Sequence, residues 1–517
     1  MLAHAVVLYL VCAGASALRL LLVFPVPGPS HAILAGALSK HLIGAGHEIT
    51  CITPLPSKNA LKSLRQVDVS TNFQLVPFGD VLQLKKIMSK EINMKDLAFI
   101  KSLMISLANA TLTNPNVKRL MEDPAERFDA VIAEWMYTEL YAGFAAVFNC
   151  PLIWFSSMDP QALVLRLIDG TPSPAYFADP MSAEHPPFDF WQRINGLWLL
   201  FRRMKLEWST RSIEDSIYNS EYGPAAAIRG ITLPSLTVMR YNASLMLGNS
   251  HISMGQSISL PQNYKEILGY HIADKVQPLP DNIKKIMDEA KHGVIYFSMG
   301  SMLKSTTLPE ALKRELLDMF RGLKQTVLWK FEDVPPKLPA NVHVVKWAPQ
   351  QDVLAHPNCV LFITHGGLLS ITETIHHAVP IIGIPMFADQ FLNINRAVRK
   401  GFGIEVSLDW DLTKNLKSAI EEILRNSSYQ ERVKEVSFVY HHRPAPPGAE
   451  LVHWVEHVVK TRGALHLRSP ALNVAFYQKM YLDLVAVVVV VLVVVVKVVK
   501  SILKLKKGSE KSKEKQR

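Results

Sequence analysis

Between Trp347 and Gln390 the chain sets out, in order, an indole at Trp347, the run His365-Gly366-Gly367, a hydroxyl at Ser370, a carboxylate at Glu373 and the polar pair Asp389-Gln390. The chemistry these types suggest is phosphate and nucleotide binding. A glycine pair lets the backbone approach a ligand. A helix starting behind it offers unpaired N–H groups and the positive end of its dipole. Ser370 can donate to a phosphate oxygen, and His365 can add a donor or a positive charge. The flat face of Trp347 can take a base, Glu373 can accept from ribose hydroxyls, and Asp389 with Gln390 suits the hydroxyls of a sugar. Far upstream stands His31, whose imidazole, ordinarily titrating near about 6.5, can accept a proton at working pH. Glu134 places a carboxylate at the end of an apolar run. Taken singly, each has a plainer reading: a turn, a packed Trp, a capping Ser, a helix-entry His, a solvated carboxylate. Order and spacing raise the residues between 347 and 390 above that, whereas for His31 the residues alone favour the plainer reading.

The elements that must position these residues follow from the apolar runs. Residues 342–345 and 360–364 read as strands, 368–377 as a helix and 380–385 as a third strand. Such a β-α-β-α-β alternation collects ligands at the C-terminal ends of its strands. Upstream, a strand at 20–24, a loop at 25–30, a helix at 32–42 and a strand at 48–53 put His31 at a strand-to-helix junction. Glu134 closes a strand at 128–133, ahead of a helix at 137–147 and a strand at 152–156. A linker containing Pro261, Pro278 and Pro280 precedes a second alternating unit, which opens with a strand at 293–298 and the turn Met299-Gly300-Ser301. Between 158 and 231, prolines break the chain into loops. The aromatic run 188–208 there can line an apolar pocket, lie against a membrane or fill a core.

In these words and this order, the stretch 347–390 resembles the signature of the UDP-glycosyltransferase family, and the wording His-Gly-Gly-Leu-Leu-Ser is most similar to its insect-type, membrane-bound members. The resemblance runs over nearly the whole chain. It implies an α/β fold of two doubly wound, Rossmann-like domains facing across a cleft (the GT-B arrangement), followed by a C-terminal transmembrane helix. It implies that Trp347 stacks on uracil, that Gln350 lies near the nucleoside, and that Ser301, His365, Gly367 and Ser370 meet the diphosphate. Glu373 would bind ribose, and Asp389 and Gln390 the donor sugar. His31 would be the catalytic base and Glu134 its partner. Relatives usually carry Asp where Glu134 stands, and many carry Asn where Leu369 stands, so a contact at Leu369 must come from backbone. The implied reaction transfers a sugar, glucose before glucuronic acid, from a UDP-sugar to a small lipophilic hydroxyl with inversion. It calls for no metal or other cofactor. A UDP-sugar-binding membrane protein without turnover is the rival reading, and a homo-oligomer is left open.

Composition sets the frame. The 517 residues allow two substantial domains, and 49% hydrophobic content excludes a disordered chain. The net charge is +11, but residues 497–517 alone hold nine Lys or Arg against two Glu, so the basic balance belongs to the tail and argues against nucleic acid as a partner. Residues 1–17 read as a signal peptide, 18–260 as the acceptor-binding domain, 261–290 as linker and 291–470 as the UDP-sugar-binding domain. Residues 480–499 supply the twenty that a membrane span needs, and 500–517 are a basic tail placed on the cytoplasmic side. Lys513 and Lys515 resemble a dilysine retrieval signal of the endoplasmic reticulum, and three Asn-x-Ser/Thr triplets fit a lumenal chain. Cys51, Cys150 and Cys359 match no metal spacing and read as small buried hydrophobes. Asp409-Trp410-Asp411 reads as a helix start rather than a metal motif.

Overall fold

The computed structural model describes residues 17–76, 96–177, 184, 186–300, 308–332, 334–386 and 388–514, with side chains to residue 505. Ser301, nearly all of the signal segment and the last three residues, including Lys515, lie outside this set.

Two parallel sheets carry the chain. The first joins β1 (Arg19–Val23), β2 (Glu48–Thr53), β3 (Leu64–Asp68), β4 (Ala130–Glu134), β5 (Leu152–Ser156), β6 (Ala243–Gly248) and β7 (Tyr264–Glu266) in the order β3-β2-β1-β4-β5-β6-β7. The second joins β8 (Val294–Ser298), β9 (Thr326–Lys330), β10 (Val342–Val345), β11 (Cys359–Thr364), β12 (Ile381–Gly383) and β13 (Gly403–Glu405) in the order β10-β9-β8-β11-β12-β13. Both orders reverse direction beside their first strand, so each sheet is doubly wound, with a switch point between β1 and β4 and between β8 and β11. The central strands are apolar except at their ends because helices cover both faces. One face of the first sheet packs Val131, Trp154 and Leu112, and the other packs Leu20, Ile132 and Phe155.

The helices that bear on function are α1 (Pro29–Gly44), α2 (Leu97–Thr113), α3 (Pro115–Glu122), α4 (Ala142–Phe148), α5 (Phe190–Ile228), α6 (Asp281–Glu289), α7 (Glu310–Arg321), α8 (Gln350–Ala355), α9 (Leu368–His377), α10 (Gln390–Arg399), α11 (Leu412–Arg425), α12 (Ser428–His441), α13 (Pro447–Lys460) and α14 (Leu482–Glu514). Three differ from the sequence reading. Helix α1 starts at Pro29, not at 32, because Pro in the first turn is preset for helix and loses no hydrogen bond there. His31 therefore sits inside the first turn. Helix α4 starts at Ala142 rather than 137, since Tyr137 takes a left-handed φ of 55° and Trp135 Nε1 donates to Glu139 at 2.9 Å. The aromatic run 188–208 is neither loop nor core. It forms the first half of α5, with Trp191 and Trp208 about three-quarters exposed at 71% and 73%.

The second half of α5 is locked into the first domain by a buried ionic cluster. Lys101, Arg166 and Arg240 lie among Glu139, Glu207 and Glu214, with Lys101 Nζ 3.4 Å from Glu214 and Arg240 3.7 Å from Glu139. Helix α13 follows the second sheet in sequence but packs back on the first. Leu451, Val455 and Val458 join the layer of Leu20, Leu34 and Leu38, and Gly448 lies so close to His41 that a methyl there would come within 2.2 Å of the imidazole. Helix α14 carries an apolar segment, Leu482–Leu505, of mean hydropathy 3.1 and no burial within the protein, long and apolar enough to cross a membrane. Cys51, Cys150 and Cys359 are unpaired thiols, each pushed up to about 12 by burial.

Candidate active site

The first-domain half of the site lies at its switch point. β1 and β4 run in register, Val23 beside Ala133, so α1 and the end of β4 meet at the same edge. His31 Nδ1 lies 2.5 Å from Glu134 Oε1, and the Glu134 side chain is fully buried. Gly28 makes room for the ring: a Cβ there would stand 2.8 Å from His31 Cδ2. Burial opposes the imidazolium. The charge of Glu134, its hydrogen bond and the charge of Asp389 outweigh that, and the His31 pKa stands above its usual value. Asp389 belongs to the second domain, so the two halves of the chain already act on one imidazole. In turn, burial lifts the Asp389 carboxyl above its usual range, partly offset by a 3.1 Å bond from Asn393 and by His31.

The other half lies at the second switch point. β8 and β11 pair Ser298 with Thr364, bringing Gly300 under His365. A Cβ on Gly300 would come within 2.6 Å of His365 Cε1, and one on Gly367 within 2.6 Å of Nε2. These two glycines accommodate the imidazole, while Gly366, at φ +84°, is needed for the backbone turn and for Ile394. Burial and then the charge of Lys330 lower the His365 pKa to about 4. His365 thus offers a neutral ring, and the positive charge considered from sequence is not there. Ser370 lies in the first turn of α9 and accepts from Gln350 Nε2 at 2.9 Å. The same amide donates to Glu373 at 2.6 Å, and Gln351 donates to the other carboxylate oxygen at 3.0 Å. Burial nevertheless holds Glu373 up at about 7. Trp347 is 69% exposed, an open face with the Lys330 ammonium 5.8 Å from its centroid.

Gln390, one of the expected residues, is already engaged, and the side chain of Leu369 lies elsewhere. Gln390 is buried and accepts from the Met386 N–H at 2.9 Å, and the Leu369 side chain packs on the first domain's core. Sequence reasoning passed over Lys330 and Asn393. Lys330 ends β9 and donates to the Gly300 carbonyl at 2.8 Å. Its position at a strand end beside the switch point is the signal that could have found it. Asn393 bridges Asp389 and the Gly366 carbonyl, the latter at 3.0 Å. Its spacing, four residues after Asp389 on α10, was readable. Among the described residues no three His, Cys, Asp or Glu side chains gather as metal ligands. Asp409 Oδ1 accepts from the Asp411 N–H at 3.0 Å, a turn leading into α11.

Residues 20–516 match the family described as "UDP-glucoronosyl and UDP-glucosyl transferase". The chain is 33% identical over 472 residues to a UDP-glucosyltransferase 2 of Dactylopius coccus, covering 90% of this chain and 89% of that one. It is 27% identical over 484 residues to a UDP-glucuronosyltransferase 2C1 of Oryctolagus cuniculus, covering 88% and 92%. Among solved structures it resembles the glycosyltransferase of kitacinnamycin (TM-score 0.58, 16% identity, 87% of this chain and 100% of that one). It also resembles a Polygonum tinctorium UDP-glucosyltransferase (TM-score 0.54, 17% identity, 86% and 99%). The fold of the two sheets is therefore GT-B. The chain belongs to the UDP-glucuronosyl and UDP-glucosyl transferase family and is a UDP-glycosyltransferase.

Proposed function

We propose that the enzyme transfers glucose from UDP-glucose to the hydroxyl of a small lipophilic acceptor, with inversion at the anomeric carbon. The observation that carries this reading is the His31–Glu134 pair at one switch point, within electrostatic reach of Asp389 from the opposite domain. His31 Nε2 takes the acceptor proton, and Glu134 holds Nδ1 and stabilises the imidazolium. The acceptor oxygen forms its bond to the anomeric carbon as the bond to the diphosphate oxygen breaks, and UDP leaves. Neutral His365, the N–H groups at the start of α9, Lys330 and Ser301 receive the charge that develops on the diphosphate. Trp347 takes the uracil face, Gln350 and Glu373 the nucleoside, and Asp389 and Gln390 the sugar hydroxyls. Residues 18–260 with α13 form the acceptor lobe, and 291–441 the donor lobe. The anchor is α14. The catalytic body lies in the lumen of the endoplasmic reticulum and the eight basic residues after Val499 lie in the cytoplasm.

Glucose as donor is supported by the glucosyltransferase name of the Dactylopius relative. The test is product formation from UDP-glucose and from UDP-glucuronate with a panel of phenols. His31→Ala should reduce kcat/KM by about 10²–10⁴-fold while leaving UDP binding intact. Full activity in that variant removes the base assignment. Turnover with UDP-glucuronate alone replaces the donor, and UDP binding without turnover in the native protein overturns the mechanism.

A further inference from the structure

The first half of α5 lies on the surface of the first domain. From Phe190 to Leu206 none of its residues is buried. At roughly 100° per residue, Phe190, Ile194, Leu197, Phe201, Met204 and Trp208 fall on one side of the helix, and with Trp191 and Trp198 they span an arc of about 140°. The opposite side faces inward: Gly196 rests against the Pro174 carbonyl, where a Cβ would come within 3.2 Å, and Glu207 is buried on Arg166. The apolar arc therefore points away from the domain. Arg193, Arg202, Lys205 and Arg211 border or interrupt it, and Glu207 is the one acidic residue between 190 and 213. An exposed aromatic arc with basic flanks is the pattern of a helix lying in a membrane interface.

Its position links it to the anchor. Pro174 belongs to the segment that continues from Asp169 and Gly170. The Ser469 hydroxyl donates to Asp169, and a Cβ on Gly170 would lie 3.9 Å from the Ala471 methyl. Ala471 stands eleven residues before α14, and Phe476, Tyr477 and Tyr481 in between are exposed aromatics. The juxtamembrane chain is thus held on the loop that also supports α5. A bilayer accounts for an apolar aromatic arc, for cations without exposed carboxylates, and for continuity with a membrane span. We propose that the first half of α5 lies in the headgroup region of the bilayer that α14 enters, binding a phospholipid surface that contains anionic lipid. This rests on α14 spanning that bilayer.

The test uses the full chain in phosphatidylcholine–phosphatidylserine liposomes. Emission from Trp191, Trp198 and Trp208 is obtained by difference against the triple Trp→Phe variant, and single Trp→Phe variants give the same reading should the triple fail to fold. Brominated lipids should quench most of that difference emission, best with bromines about 5–10 Å below the headgroups, and aqueous iodide should not. Iodide quenching without bromolipid quenching overturns the proposal, as does shielding from both, which would mean a protein covers the arc. An alkaline carbonate wash separates the two premises. A chain that the wash releases has no spanning α14, and the proposal falls with the anchor; a chain that stays but escapes bromolipid quenching refutes the docking alone.

Discussion

The pairing of His31 with Glu134 has a pH signature. On the proposed mechanism neutral His31 is the active base, so kcat/KM should rise as pH climbs through its pKa, which lies above about 6.5 in the free enzyme. Glu134→Gln removes the charge that raises it and leaves the burial that lowers it. The acidic limb should shift to lower pH while the plateau falls about 10²–10⁴-fold; a fallen plateau with an unmoved limb would make Glu134 purely structural. The titration of Glu373 bears on stability. Its folded pKa of about 7 exceeds its ordinary 4.5, so the folded protein holds this proton more tightly than the unfolded chain does. Stability from this site is full below about 4.5 and is lost as pH rises through about 7, by about 3 kcal/mol at most. Melting curves at pH 5 and pH 8 should show the native protein losing more than Glu373→Gln across that interval. The types and order of these residues were legible from sequence. Their charge states were not, because the neutrality of His365 and the lifted pKa of Glu373 come from burial beneath other elements.

At the scale of elements, close approach replaces titration. Gly300 combines a φ of +76° with a neighbour that leaves no room for a methyl. Gly300→Ala should displace His365, destabilise the protein by about 1–3 kcal/mol and raise KM for the UDP-sugar more than it lowers kcat. Thermal melting with steady-state kinetics checks both. The strand–helix alternation was readable because a buried parallel strand is a nearly continuous apolar run; 20–24 is wholly apolar, and 128–133 and 360–364 largely so. Helix α1 begins three residues ahead of its apolar pattern because Pro29, which reads as loop in a sequence, is at home in a first turn. Helix α5 was hidden by the prolines before it and by an aromatic content that reads equally as core. The return of α13 onto the first domain left no mark in its own pattern. An amphipathic helix shows that one face is buried and not which sheet buries it.

Across the whole molecule, Arg396 of α10 pairs with Asp159 after β5, joining the lobes through a buried ion pair. Burial brings the guanidinium down to about 10. Arg396→Met or Asp159→Leu strands a buried charge and should cost about 3–5 kcal/mol, whereas the two together should cost less than either single change; a double loss equal to the sum of the two single losses in a denaturant-unfolding cycle would show the pair to be uncoupled. The return of α13 also means that the chain crosses between the lobes twice, at residues 267–280 and 442–446. The crossings lie side by side, Arg443 donating to the Leu268 carbonyl at 3.0 Å, and Tyr270 in the first of them donates to Leu34 of α1 at 3.2 Å. A body strung on one strand can swivel in any direction. Two strands strapped together leave a single axis, like the pin of a clasp, so on the proposed mechanism the second lobe would open and shut over its substrates about that axis rather than twist out of line with them.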